Sequence, residues 1–305
     1  MSRPWFATIV STCTASLIGL PAMATAQDAP SSPSISITIP AGVEHQFRTD
    51  IDNGGSFDVT RAAIGVGLRT ELARDLDLTF SFNYSFAEYD FSGSGNFGDG
   101  WDDTHTLSFG ASLSANLTTD WTVFGGPALQ LSRESGGDWE DSLIAGGFFG
   151  ATYRYSDDLT IGGGPGVMSQ IEDGTRLYPI LIVDWRIADG VKLTSRTAAS
   201  ATGDTGLELA YEIGGGWEVG LGAAYRFRRF RLDDNGPVPS GVGEDTNIPV
   251  WARVSYDFNE HFRLNAFVGV ATGGRLRLED RSGDRIAREE YDTAPVLGLA
   301  GVLRF

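Results

Sequence analysis

Arginines and carboxylates that recur at every second position are the residues of this chain best placed to do chemistry. Successive side chains of an extended backbone point to opposite sides, so this spacing gathers Arg196, Glu208, Glu212, Arg226, Arg228, Arg253 and Arg263 on common faces. Arg196, Arg226, Arg228 and Arg253 form a candidate cationic strip, with Glu208 and Glu212 as candidate opposing charges. Opposed charges of this kind select small ions by field rather than by a fitted pocket. The same residues would also make Arg–Glu pairs that stiffen a wall.

Other chemistry is sparse. The histidines are His45, His105 and His261. His105 has Asp103 and Ser108 close in sequence, but period two sends His105 and Ser108 to opposite faces, and a triad needs them within hydrogen-bond reach. Enzymatic activity is therefore not expected. Acidic residues crowd Asp99 to Asp103, Asp138 to Asp141 and Asp233 to Asp245. Oxygen ligands suit Ca²⁺ or Mg²⁺, which makes divalent cations candidate partners there. No spacing matches an EF-hand loop, so no metal site is assigned and no cofactor is expected.

The elements that must position these groups are strands. Leu76, Leu78, Phe80, Phe82, Tyr84 and Phe86 alternate with Asp77, Thr79, Ser81, Asn83 and Ser85, and Trp217 to Phe227 repeats the pattern. A dozen or more such segments follow one another, rich in β-branched and aromatic residues and punctuated by 40 glycines and 12 prolines, which predicts an all-β chain. Short turns such as Ala73-Arg74-Asp75, Thr118-Thr119-Asp120, Ser156-Asp157-Asp158 and Gly215-Gly216 alternate with longer acidic loops. Six short turns join twelve strands. The first strand, Ser34 to Phe47, and the last make fourteen, with twelve as the alternative if the first hairpin stays out of the wall.

Ala294 to Phe305 places Phe305, Leu303, Gly301, Leu299 and Leu297 on one face. Here the chain resembles the integral outer-membrane β-barrel proteins of Gram-negative bacteria, whose last strand typically ends in Phe after alternating apolar residues. The resemblance implies a transmembrane antiparallel up-and-down β-barrel over 34–305, facing outer-membrane lipids, with the short turns in the periplasm. It also implies an assembly signal at Leu303 and Phe305 that the barrel assembly machinery reads. Trp121, Tyr155, Trp185, Trp217, Phe258, Phe262 and Phe305 all lie close to a short turn or the C-terminus. Amphipathic rings favour membrane interfaces, so these are the expected aromatic girdle. A second family likeness, at Leu177 to Ile187, is looser and assigns no activity.

Roughly eight strands is where barrel interiors fill with side chains, so a fourteen-strand ring is expected to hold water. The expected role is passive, porin-like diffusion of small polar or ionic solutes. The alternatives are a non-conducting barrel with a surface or structural role, uptake of apolar compounds captured near Phe91, Phe97 and Trp101, and, least favoured, an outer-membrane hydrolase. Residues 1–26 read as a cleaved signal peptide, with Arg3, an apolar run and Ala24-Thr25-Ala26, and 27–33 as a short periplasmic lead. Cys13, the one cysteine, lies in that leader, so the mature chain has no disulfide. Its loss with Arg3 makes the net charge of −17 one unit more negative, which disfavours nucleic acid as a partner. Asp120 to Pro127 and Asp158 to Pro165 share Asp, Thr, two glycines and Pro. We read this repeat as a hairpin duplication whose G-G-P is a curvature device.

Overall fold

The computed structural model describes residues 35–93, 95, 97, 100–172, 174–195 and 205–305. The expected signal peptide and lead, together with Ser34, Asp99 and Arg196, lie outside the described residues.

The described residues form one antiparallel meander. Its strands are β1 (Ile35–Asp50), β2 (Ser56–Ala73), β3 (Leu76–Ser92), β4 (Thr104–Asn116), β5 (Trp121–Glu134), β6 (Leu143–Ser156), β7 (Leu159–Ser169) and β8 (Thr175–Ala188). They continue as β9 (Val191–Thr194), β10 (Thr205–Gly214), β11 (Trp217–Arg231), β12 (Val242–Asp257), β13 (Phe262–Glu279), β14 (Arg285–Tyr291) and β15 (Ala294–Arg304). β14 pairs with the upper part of β13 and β15 with its lower part, so β14 and β15 are two lengths of one wall strand broken at Asp292. β15 pairs back onto β1, from Thr38↔Arg304 to Gln46↔Val296, which closes a ring of fourteen wall strands. Backbone bonds of 2.9 Å in each direction between Ile37 and Phe305 bring the two ends of the ring together on the short-turn rim. The first hairpin is part of the wall, so fourteen holds over twelve.

Period two dictates the outside. Val43, Ile64, Leu68, Phe80, Phe109, Leu113, Leu129, Leu221, Val268 and Leu299 all turn outward and are exposed. A chain folding in water buries such residues, whereas a barrel in lipid presents them as a belt. The prolines of the two G-G-P repeats interrupt one ladder each without shifting register. Leu113↔Gly125 and Gly110↔Ala128 keep the same offset across Pro127, as Ala151↔Gly163 and Phe148↔Gly166 do across Pro165. A Cβ on Gly126 would run into the Ala111 carbonyl, and one on Gly164 into that of Phe149. The repeat is thus a close approach of neighbouring backbones, not a bulge.

The ring is not a simple cylinder. Among the described residues β10 pairs with β11 from Trp217 to Tyr225, and β12 pairs with β11 on to Arg231. Beyond Tyr225, the β11 residues Arg226, Phe227, Phe230 and Arg231 are buried, as are Val242, Asp245, Thr246 and Asn247 of β12. Residues of both parities are covered, so this stretch is enclosed on both sides. A register shift between Thr246 and Ile248 marks the bend, because an extra residue in one strand increases its local twist. The hairpin top, residues 226–247, leans across the long-loop mouth until Arg231 meets Arg133 of β5 in a parallel bridge.

Candidate functional site: a charged lumen crossed by a hairpin

Pairing across β11 and β12 sets which side chains share a face. Arg226↔Asn247, Arg228↔Asp245 and Phe230↔Gly243 put one set toward β1, β2 and β3. On this side Arg226 donates twice to the Glu44 carboxylate, at 2.6 and 2.9 Å. Arg61 bridges Glu44 at 3.3 Å and Asp245 at 2.9 Å. The Tyr89 and Tyr291 hydroxyls donate to the two Asp245 oxygens at 3.0 and 2.9 Å. Arg226, Arg61 and Asp245 are at most 2 % exposed. Charges so enclosed are tolerated only when paired and hydrogen-bonded, and here the pairs span the barrel from β1 and β2 to β11 and β12.

Above this charge layer lies an apolar one. Phe57, Tyr89, Phe97, Trp101, Phe230, Leu232, Leu276, Leu278 and Tyr291 pack into one cluster, with Trp101 and Phe230 edge-to-face at 5.1 Å. Phe97 and Trp101, expected as a capture site for apolar cargo, are buried in this plug with their partner Phe91 against it.

The other face of the hairpin meets β5 to β8. Phe227 and Val242 pack with Phe124, Ile144, Met168, Tyr178, Ile180 and Ile182, and the Arg176 guanidinium lies 3.7 Å from the Phe227 ring centre. Arg229 reaches Glu244 at 3.3 Å and Glu279 at 2.6 Å, and Arg231 pairs with Glu172. A cavity of about 350 Å³ opens here, lined by Gln170, Arg176, Phe227, Arg229, Glu244, Arg277, Glu279 and Gly283.

Toward the short-turn rim the charges continue. Arg253 binds Glu208 at 2.6 Å and Glu218 at 2.7 Å, and Trp251 donates to Glu208 at 2.9 Å. Arg263 joins Glu218 at 3.2 Å to Asp257. Pairs at this end, such as Arg69 with Asp77 and Lys192 with Asp184, are partly exposed. The lumen is therefore accessible below and filled above, where the width of a fourteen-strand ring led us to expect water. The ring is wide enough, but a piece of its own wall occupies the space.

Of the sequence candidates, Arg226, Arg253, Glu208 and Arg263 all enter inward networks, but not as one strip. Arg226 pairs with Glu44, and Arg253 takes Glu208. Arg228 is half-buried and donates to the Phe227 carbonyl at 3.1 Å, and Glu212 is exposed at the lower rim. Glu44, Arg61 and Asp245 were missed as a set because their partners are up to 184 residues apart. His105 does not face Ser108. Its ring nitrogens lie 2.8 Å from the Tyr84 hydroxyl and 3.0 Å from that of Ser135. Among the described residues no three metal-ligating side chains converge on one point. Trp121, Tyr155, Trp185, Trp217, Phe258 and Phe305 are exposed at the short-turn end, with Phe262 half-buried and stacked on Phe258 at 5.2 Å.

No family model and no curated protein matches the chain. Among solved structures it is similar to an outer membrane channel from Pseudomonas putida F1, with 12% identity, 92% of this chain and 100% of that one covered, and a TM-score of 0.47. A Pseudomonas aeruginosa FadL homologue gives 12%, 88%, 90% and 0.49, and the P. putida toluene transporter TodX 9%, 89%, 90% and 0.42. These likenesses assign no solute to this chain. By its own closure, strand number and outward apolar belt, the chain is a fourteen-stranded antiparallel β-barrel of the outer-membrane type.

Proposed function

We propose that this chain is an outer-membrane channel for small polar or ionic solutes, entered from the long-loop side. One observation carries the reading: charged side chains run down the inside of β11 and β12, from Arg229 and Glu244 through Arg226 and Asp245 to Arg253 and Asp257. Such groups are costly to enclose, and a polar solute replaces the hydrogen bonds that it displaces. The 350 Å³ cavity is the outer vestibule, and the accessible lower lumen is the exit. Liposome swelling with the refolded barrel tests this, using amino acids, small sugars and salts. Swelling that falls off with solute size supports the channel, and none at any size counts against it.

A second reading has one observation in its favour. The inward faces of β5 to β8 are apolar, at Phe124, Ile144, Met168, Tyr178, Ile180 and Ile182, which favours uptake of apolar compounds. Saturable partitioning of a fluorescent hydrocarbon, lost on Ile180→Asp, would select it.

A further inference from the structure

The cavity at the long-loop mouth is walled by charges of both signs, and two of them are loosely engaged. Arg176 closes it from β8, Phe227 and Arg229 from β11, Glu244 from β12, and Arg277 and Glu279 from β13. Arg229 donates to Glu279 at 2.6 Å and to the Ile171 carbonyl at 3.2 Å, and the Arg176 guanidinium covers the Phe227 ring. Arg277 and Glu244 differ. Arg277 lies 3.1 Å from Glu279, but its Nε–H finds no acceptor there, and it stands 4.0 Å from Glu244. Glu244 accepts from Arg229 at 3.3 Å, a long bond for a charged pair. Arg277 and Glu244 thus present a positive and a negative group side by side, at a separation that holds no hydrogen bond to break. The Arg277 side chain is 35 % exposed, which lets a solute reach it.

Charge sets what that solute can be. A simple anion entering the cavity meets Glu244 and Glu279, and a simple cation meets Arg176, Arg229 and Arg277. Like charges brought together exclude the wrong partner, so each is turned away by part of the wall. A zwitterion brings a counter-charge for both signs. Because Arg277 and Glu244 are neighbours, its two charges must be close, as they are when both groups sit on one carbon. The volume of about 350 Å³ is at the small end of the roughly 300–1,000 Å³ of small-molecule sites. The Phe227 ring in the lining gives a side chain an apolar flank.

Resting on the channel reading above, we infer that this cavity is an entry site for α-amino acids, whose carboxylate accepts from Arg277 and whose ammonium donates to Glu244. Arg229 and Glu279 keep their own pair and brace the two recognition groups, Arg229 against Glu244 and Glu279 beside Arg277.

The test is isothermal titration calorimetry of the refolded barrel in a non-ionic detergent. The probes are L-leucine and three relatives: isocaproate, which lacks the ammonium, isoamylamine, which lacks the carboxylate, and ε-aminocaproate, whose charges lie at opposite ends of its chain. We expect L-leucine to bind saturably and more tightly than each relative by about tenfold or more, the worth of one lost bond to a charged group. Arg277→Gln and Glu244→Gln should each weaken L-leucine by a similar factor. The comparison among solutes needs no variant, so it decides the matter even where heat-modifiable gel mobility shows that a substitution impairs folding. If any of the three relatives binds as tightly as L-leucine, the α-amino-acid site is overturned. If L-leucine does not bind while other small solutes swell liposomes, the site is likewise overturned and the channel stands. If L-leucine binds but no solute of any size passes in liposome swelling, the channel reading falls, and the cavity's role as an entry site with it.

Discussion

At the scale of single residues, buried charge decides the behaviour of the upper lumen. Glu44 is shared by Arg226 and Arg61, and both guanidiniums are enclosed. Removing one partner of such a group leaves an uncompensated charge, at a cost of about 3–5 kcal/mol. Glu44→Gln should therefore lower the urea midpoint in detergent markedly, and Arg226→Met in the same chain should restore much of it. Glu134 gives a pH dependence. It lies at the outer tip of β5, above the belt, and burial raises its carboxyl above the ordinary range against the opposing amides of Asp102 and Asp233. The folded chain then holds that proton more tightly than the unfolded chain. Its stabilising contribution is full below the ordinary carboxylate value and is lost as pH rises through the folded one. Unfolding midpoints measured across mildly acidic pH should fall with rising pH by a component that Glu134→Gln abolishes. That Arg226 and Arg253 face inward was legible from period two, but which carboxylate each meets was not. Pairing across a barrel depends on ring closure, and local spacing carries no trace of it.

At the scale of elements, alternation located the wall and its turns, and it fails where the chain leaves the wall. Arg226-Phe227-Arg228-Arg229-Phe230-Arg231 sets charges side by side, which no lipid-facing strand tolerates and which a segment enclosed on both sides accommodates. That break in period two was the available sign of the inward hairpin. Phe227, within that run, lies under Arg176 inside the barrel. The G-G-P repeat was read from the sequence as a curvature device, and what the structure shows there is contact between backbones. Gly126→Val and Gly164→Val should each prevent the close approach of their strands. The expected result is loss of the heat-modifiable folded band on refolding, while Gly215→Ala, in an open turn with nothing near its Cβ, keeps the band apart from a modest loss from its left-handed backbone.

At the scale of the whole molecule, one surface meets lipid and another meets charge, and the tryptophans report both. Trp121, Trp185 and Trp217 are exposed on the outside near the short turns, whereas Trp101 and Trp251 are buried within. Brominated lipids should quench a chain retaining only Trp217 strongly and one retaining only Trp251 weakly. Equal quenching would contradict the placement of the belt. The polar interior, the outer hairpin and the accessible lower lumen are the features on which the proposed channel, crossed by a piece of its own wall, rests. Current through the barrel in a planar bilayer tests this most directly, comparing the full chain with the one shortened across residues 229–244. The account predicts brief, rare steps from the full chain and sustained openings from the shortened one. A shortened barrel that is folded, inserted and carries no current would contradict it.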